Sequence, residues 1–302
     1  MRGSQTDRLL SLASSGDLLA LRAMCEGGAD VQTSNADGET PFLLAVKHAD
    51  VSAVAELVEG FGAHLGARLK NGQGCLHLAV ERGDISILRL LLERFRGVEG
   101  LPSVNAKDQQ RFTPLHLACT RGDRRIVQLL MRWGADIDAI NDRGSTPLHW
   151  ACSRGHTELV KLLVGVYAAD FERPAGNAAT PLHWAAAKGQ VSVVSLLVGT
   201  YCAEVDARDD RGCTPLLMAS LNGHMGTVRL LVDRFGASVT AHDKKGTTAL
   251  HAAAEMGHAA LATLLVERYG MDVDCTDRRR MTPLGRAALR NRADVVETLT
   301  GR

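Results

Sequence analysis

Eleven histidines and seven cysteines are the side chains of this 302-residue sequence best suited to chemistry. Imidazoles and thiols hold a metal when three or four converge, and a thiol beside an imidazole can act as a nucleophile. The spacing argues against both uses. His77, His116, His149, His183 and His251 each end a Thr-Pro-Leu-His stretch or a near copy of it. His156, His224 and His258 each open the apolar segment that follows, and His48, His64 and His242 fall outside either slot. Equivalent slots in packed, repeated helices lie ~8–10 Å apart, so they do not converge on one ion. The cysteines include no C-x-x-C pair. Cys119 and Cys152 share one slot of neighbouring repeats, too far apart for an unstrained disulfide. They read as small buried apolar residues in a reducing compartment, cytosol or nucleus. No H-E-x-x-H, Walker, G-x-G-x-x-G or nucleophile-elbow pattern is present. The expectation is a non-enzyme with no catalytic residue, metal or cofactor.

The elements that position these residues recur. Thr113-Pro114-Leu115-His116-Leu117-Ala118-Cys119-Thr120-Arg121-Gly122-Asp123 returns from Thr146 and from Thr180, with weaker copies from Asp7, Thr40, Gly74, Thr214, Thr248 and Thr282. The steps between starts are 33, 34, 39, 33, 34, 34, 34 and 34 residues. A fixed period near 33 marks a stacked array, and nine copies fill residues 1–302 as one array. Within a unit, Thr caps a first helix and Pro fits its first turn. Gly122 ends that helix and Asp123 starts a second, whose Ile126, Val127, Leu129 and Leu130 form an apolar stripe. Gly134 closes it, and Asn141-Asp142-Arg143-Gly144 is a turn.

The Thr-Pro-Leu-His motif at Thr113, Thr146 and Thr180, with Gly-Ala-Asp at Gly28 and Gly134, resembles the ankyrin repeat over about residues 5–302. The resemblance implies an all-α solenoid of helix-turn-helix units with hairpin loops. It also implies a protein-binding role as scaffold, adaptor or regulatory subunit, and a histidine that clamps loop backbone to the next repeat. It places the slot eight residues after each start on a concave groove. That slot holds His48, Arg82, Arg121, Arg154, Lys188, Asn222, Met256 and Arg290. Four consecutive repeats then present Arg82, Arg121, Arg154 and Lys188 over ~25–30 Å at ~8–10 Å per step. Such a column suits an extended acidic or phosphorylated segment, because Arg grips carboxylate and phosphate in a bidentate fashion. It is equally readable as ordinary surface charge paired with Glu81 or the loop acids. Loop residues Gln109, Gln110, Phe112, Arg143, Ser145, Asn177 and Arg211 are expected to read the partner's side chains. Phe112 would be the apolar anchor, since Ser145 and Ala179 take its slot later. A second class of ligand is a nucleotide or other small polyanion in the same basic groove, stacked on Trp150 or Trp184.

Composition adds limits. Net charge is +1, and acids interleave with bases at the loop tips, so neither nucleic acid nor membrane is an expected partner. No apolar run approaches the ~18 residues of a membrane helix, and residues 1–17 hold no apolar leader, so a cytoplasmic or nuclear monomer is expected. Phe61, Phe95, Tyr167, Tyr201, Phe235 and Tyr269 lie 21 residues after their starts, and the favoured reading is space-filling between repeats. The extra residues of Arg96–Pro102 form either a tolerated loop or a binding element. Pro174–Ala179 lacks the Asp and Gly of its counterparts, which predicts a loop of different shape; Leu69 likewise replaces a capping Asp.

Overall fold

The computed structural model describes residues 2–96 and 103–301, with side chains from residue 5 onward. The insertion proper, 97–102, lies outside the described residues. Two compact units divide the chain, Met1–Asp142 and Arg143–Arg302. The first unit contains α1 (Arg2–Ser15) and α2 (Leu18–Glu26), α3 (Pro41–His48) and α4 (Val51–Ala55), α5 (Cys75–Arg82) and α6 (Ile85–Phe95), then α7 (Pro114–Arg121) and α8 (Arg124–Arg132). The second contains α9 (Pro147–Arg154) and α10 (Thr157–Gly165), α11 (Pro181–Ala187) and α12 (Val191–Gly199), and α13 (Pro215–Leu221) and α14 (Met225–Arg229). It closes with α15 (Ala249–Met256) and α16 (Ala259–Glu267), then α17 (Pro283–Leu289) and α18 (Ala293–Thr300). After α4 and α14 the helix widens into a π turn, Glu56–Gly60 and Leu230–Arg234. Only isolated bridges, Arg68 with Gly74 and His242 with Thr248, represent strand pairing among the described residues.

The local chemistry accounts for the helix ends. Thr40, Thr214, Thr248 and Thr282 each accept a hydrogen bond on Oγ1 from the amide three residues on. Proline follows at the first helical position of α3, α7, α9, α11, α13 and α17. Asp50, Asp84 and Asp123 cap the second helices of their repeats through Oδ1. The first helices pack side by side within each unit, α5 on α7 and α9, α11, α13, α15, α17 in succession. The second helices form the outer row, α4 on α6 on α8 and α10 on α12. Between the rows Leu115, Ala118, Cys119, Ile126, Val127 and Leu130 are fully buried, while Leu129 is half-buried. Each buried aliphatic side chain of this kind contributes roughly 1.5–3 kcal/mol.

The loops are tied tip to tip by main-chain bonds. Lys70 N donates to Asp37 O at 3.0 Å, Gln109 N to Asn71 O at 2.9 Å, and Asp142 N to Gln110 O at 3.1 Å. In the second unit Gly176, Asp210, Lys244 and Arg278 donate to Arg143, Asn177, Arg211 and Lys245 at 2.8–3.0 Å. Gly144 shows what this closeness demands. Its φ is +67°, and a Cβ there would sit 2.6 Å from Gly176 N. Gly144→Ala is expected to cost about 2–3 kcal/mol, combining left-handed strain with displacement of the neighbouring loop. Urea unfolding checks it; a loss below about 0.5 kcal/mol would show that the loops slide freely.

The loop at Pro174–Ala179 corrects the expectation of a different shape. Ala175 N donates to Ala179 O at 2.9 Å and Ala178 N to Ala175 O at 2.8 Å. Asp209, Gly212 and Cys213 make the same pair of bonds. Ala178 adopts φ +58° in the place of glycine. Main-chain pairing therefore sets the turn. The missing Asp removes only side-chain caps of the kind Asp209 Oδ1 gives to Arg211 N and Cys213 N. Leu69 behaves likewise, donating to Gln73 O at 2.9 Å.

Candidate functional site: a cationic, tryptophan-lined cavity in the second unit

The histidines of the Thr-Pro-Leu-His slot are spent on the fold. His183 Nδ1 accepts from Thr180 N at 3.1 Å, and its Nε2 lies 3.0 Å from Cys213 O in the next loop. His77 and His251 repeat the arrangement with Phe112 O at 3.0 Å and Met281 O at 2.9 Å. An acceptor Nδ1 and a carbonyl partner at Nε2 select the neutral Nε2–H tautomer. Burial also pushes the pKa of His77, His183 and His251 down. Both ring nitrogens are occupied, so none is available as ligand or base. Among the described residues no group of three His, Cys, Asp or Glu converges as a metal site. Cys75 and Cys119 are fully buried; burial pushes the Cys75 thiol up to about 12 and raises that of Cys119.

A second clamp was not anticipated from the sequence. Ten residues after the start, Gln190, His224, His258 and Arg292 reach back to the first helix of the preceding repeat. They meet the carbonyls of Ser153, Ala187, Leu221 and Glu255, each at 3.1 Å. These are carbonyls that a helix C-terminus leaves unsatisfied. In the first unit the same slot is Asp17, Asp50, Asp84 and Asp123, which cap forward and cannot donate. Before Asp84 and Asp123 the arginine two residues earlier takes over. Arg121 Nη1 donates to Glu81 O at 2.5 Å, and Arg82 Nη1 donates to Ala49 O while lying 3.7 Å from Asp84.

This division splits the expected basic column. Arg82 and Arg121 belong to the first unit and hold neighbouring repeats together through main chain. Arg154 and Lys188 belong to the second unit, where Gln190 and His224 do that work. The Arg154 and Lys188 side chains are exposed and make no hydrogen bond or ion pair among the described residues.

Arg154 and Lys188 line a cavity of about 670 Å3 together with Arg143, Asn177, Trp150 and Trp184. The two indoles meet edge to face at 5.4 Å, and Trp184 packs against His149 at 5.3 Å. Both are half-buried, with one edge in the cavity. No carboxylate lines it. Arg154 and Lys188 therefore stand beside the two indoles with no carboxylate in the lining, an arrangement that attracts anions and rewards flat or apolar groups.

Residues 9–100, 95–175, 158–243 and 235–302 match the family described as "Ankyrin repeats (3 copies)". The chain belongs to the ankyrin-repeat family. Protein phosphatase 1 regulatory subunit 27 of Mus musculus is 31% identical over 103 residues, 34% of this chain and 63% of that protein. B-cell lymphoma 3 protein of Homo sapiens is 35% identical over 116 residues, 38% of this chain and 25% of that protein. Transient receptor potential cation channel subfamily A member 1 of Homo sapiens is 31% identical over 105 residues, 35% of this chain and 9% of that protein. The matches span less than two thirds of each relative. No helix among the described residues of this ankyrin chain is long and apolar enough to cross a membrane.

The remaining expected site residues sit on the ankyrin hairpins. Gln109, Gln110, Arg143, Asn177 and Arg211 are exposed at the tips, with their main chain engaged in the tip-to-tip ladder. Gln109 Nε2 also donates to Lys70 O, and Arg211 Nε lies 3.5 Å from Asp209. Ser145 is a correction. It is fully buried, and its Oγ accepts from Trp150 Nε1 at 3.2 Å. It orients the indole and cannot touch a partner. Phe112 is a second correction, for its slot is not an open loop position. The ring is half-buried and lies edge-on to His116 at 5.4 Å, while its carbonyl receives His77. The periodic aromatics are likewise half-buried. The Tyr201 hydroxyl lies 3.3 Å from the Cβ position of Gly165, and the Phe235 ring 3.4 Å from that of Gly199. Each ring thus covers the end of the preceding second helix.

Proposed function

We propose that this chain is a non-enzymatic protein-interaction module whose groove holds an extended acidic or phosphorylated segment of a partner. The observation that carries the reading is the cavity of about 670 Å3 in which Arg143, Arg154 and Lys188 stand over Trp150 and Trp184 with no carboxylate. Arg154 and Lys188 supply charge that the fold does not consume. Asn177 at the rim offers a donor and an acceptor to the segment's main chain. One relative is named a regulatory subunit, which suits an adaptor that acts by holding another protein.

Charge reversal tests this. The Arg154→Glu/Lys188→Glu double variant is expected to keep its helicity and to weaken capture of a salt-sensitive partner at least about tenfold, or about 1.4 kcal/mol. Pull-downs at two salt concentrations measure it. Retention of the same partners by the variant would overturn the site. A second reading, a small polyanion such as a nucleotide, is favoured by the two tryptophans in the same cavity. Quenching of indole fluorescence by added nucleotide, absent in Trp184→Phe, would select it.

A further inference from the structure

The tryptophan-lined cavity does not end at its own rim. Met218 forms part of its wall and also lines a second cavity of about 530 Å3 farther along the same unit. Trp150, Trp184 and Met218 occupy one slot of three successive first helices, α9, α11 and α13. The floor is therefore continuous in kind, large and polarizable, from one cavity to the next.

The chemistry above that floor changes. The cation slot that holds Arg154 and Lys188 holds Asn222 in the third repeat, and its amide is turned onto Met218 O at 2.8 Å. Beside it Leu221 is 37% exposed, an apolar side chain partly facing water. Cys213, Leu217 and Met218 line the cavity with it. The charged side chains of this lining come close to balance, Asp210, Asp243 and Glu255 against Arg211, Lys244, Lys245 and Arg286, so its field is weaker than that of the first cavity.

We propose that the groove reads a two-part motif on a partner polypeptide. An acidic or phosphorylated side chain lies against Arg143, Arg154 and Lys188. On the same extended stretch, an apolar side chain seats against Cys213, Met218 and Leu221. The proposal rests on the acidic-segment reading above and adds the second determinant. Charge complementarity fixes the first contact, and the exposed apolar side chain of Leu221 fixes the second. An extended chain advances about 3.3 Å per residue and one repeat about 8–10 Å, so about three residues separate the acid from the apolar side chain. Direction follows too, since the Leu221 seat lies on the α13 side of Lys188.

The test uses the full chain and synthetic peptides of about twelve Ser/Gly residues. Each carries one phosphoserine, with a single Leu moved through every position on both sides, and binding is read by fluorescence anisotropy. Leu about three residues from the phosphoserine, on one side only, is expected to tighten binding about fivefold or more over the Leu-free peptide. Leu221→Asn, a neutral surface change, should erase that gain and leave phosphoserine binding in place. Phosphopeptides that bind equally wherever Leu stands would overturn the two-part motif while leaving the acidic groove intact. A gain that survives Leu221→Asn would also overturn it, because the Leu would then be seated elsewhere. If no phosphopeptide binds, the acidic-groove reading and this inference fall together.

Discussion

His183→Ala should lower the stability of the second unit by about 2–4 kcal/mol, the combined cost of three broken hydrogen bonds and a partly filled cavity. The imidazole joins Thr180 N, Thr180 Oγ1 and Cys213 O at 3.0–3.1 Å, and removing it strands buried main-chain groups on both sides. The same clamp predicts acid lability. Burial holds the His183 pKa below its ordinary value, as it does for His77 and His251. The unfolded chain, near 6.5, therefore takes up protons first. Stability from this source is complete above about pH 6.5 and declines as the pH falls from there toward the folded-state value. Urea midpoints measured between pH 8 and pH 5 should fall on the acid side for the wild type and fall less for His183→Ala. Equal slopes for the two proteins would show that the clamp histidines are not held neutral.

Arg286→Leu should cost about 3–5 kcal/mol, the expected penalty for taking away the charge partner of a buried carboxylate. Arg286 occupies the helix slot of Trp150 and Trp184 but serves the end of the second unit. It donates to Asp277 Oδ2 at 2.6 and 3.2 Å, to Glu255 Oε2 at 2.9 Å and to Thr247 Oγ1 at 3.0 Å. Burial alone would raise the Asp277 pKa. Arg286 and the amides of Met281 and Arg279 outweigh it and hold the carboxyl down at about 2. The depressed pKa stabilises the fold above the unfolded value of about 3.9, and that contribution is lost as the pH drops through about 2. In a repeat array the damage is local, so hydrogen exchange should quicken in α17 and α18 and leave α11 little changed. Unaltered protection in α17 and α18 would refute the role given to Arg286.

Much of the fold was legible because the repeat writes its own boundaries. Thr-Pro at Thr113, Thr146 and Thr180 and glycine after Arg121 and Arg154 located helix ends that the structure places at Pro114–Arg121 and Pro147–Arg154. Hydrogen-bond geometry was harder to read. Arg82 and Arg154 occupy one slot, and their different duties depend on whether a donor or an aspartate follows two residues later. That signal was present: Asp at Asp84 and Asp123, against His156, Gln190, His224, His258 and Arg292. Reading it would have removed Arg82 and Arg121 from the candidate groove. The burial of Ser145 was not legible, because a serine at a loop slot looks the same whether it faces water or an indole.

Both clamps in the second unit address carbonyl oxygens, one forward to a loop and one back to a helix end. A carbonyl is the one acceptor that every amino acid carries. The fastening of one repeat to the next within the second unit is thus indifferent to which side chains its neighbours display. Arg154 and Lys188 can be exchanged without loosening the joints, much as labels can be changed on boxes strapped by their frames. The cations and the cohesion of the fold are written on separate atoms, so a new charge pattern can be tried in this groove at little risk to the array.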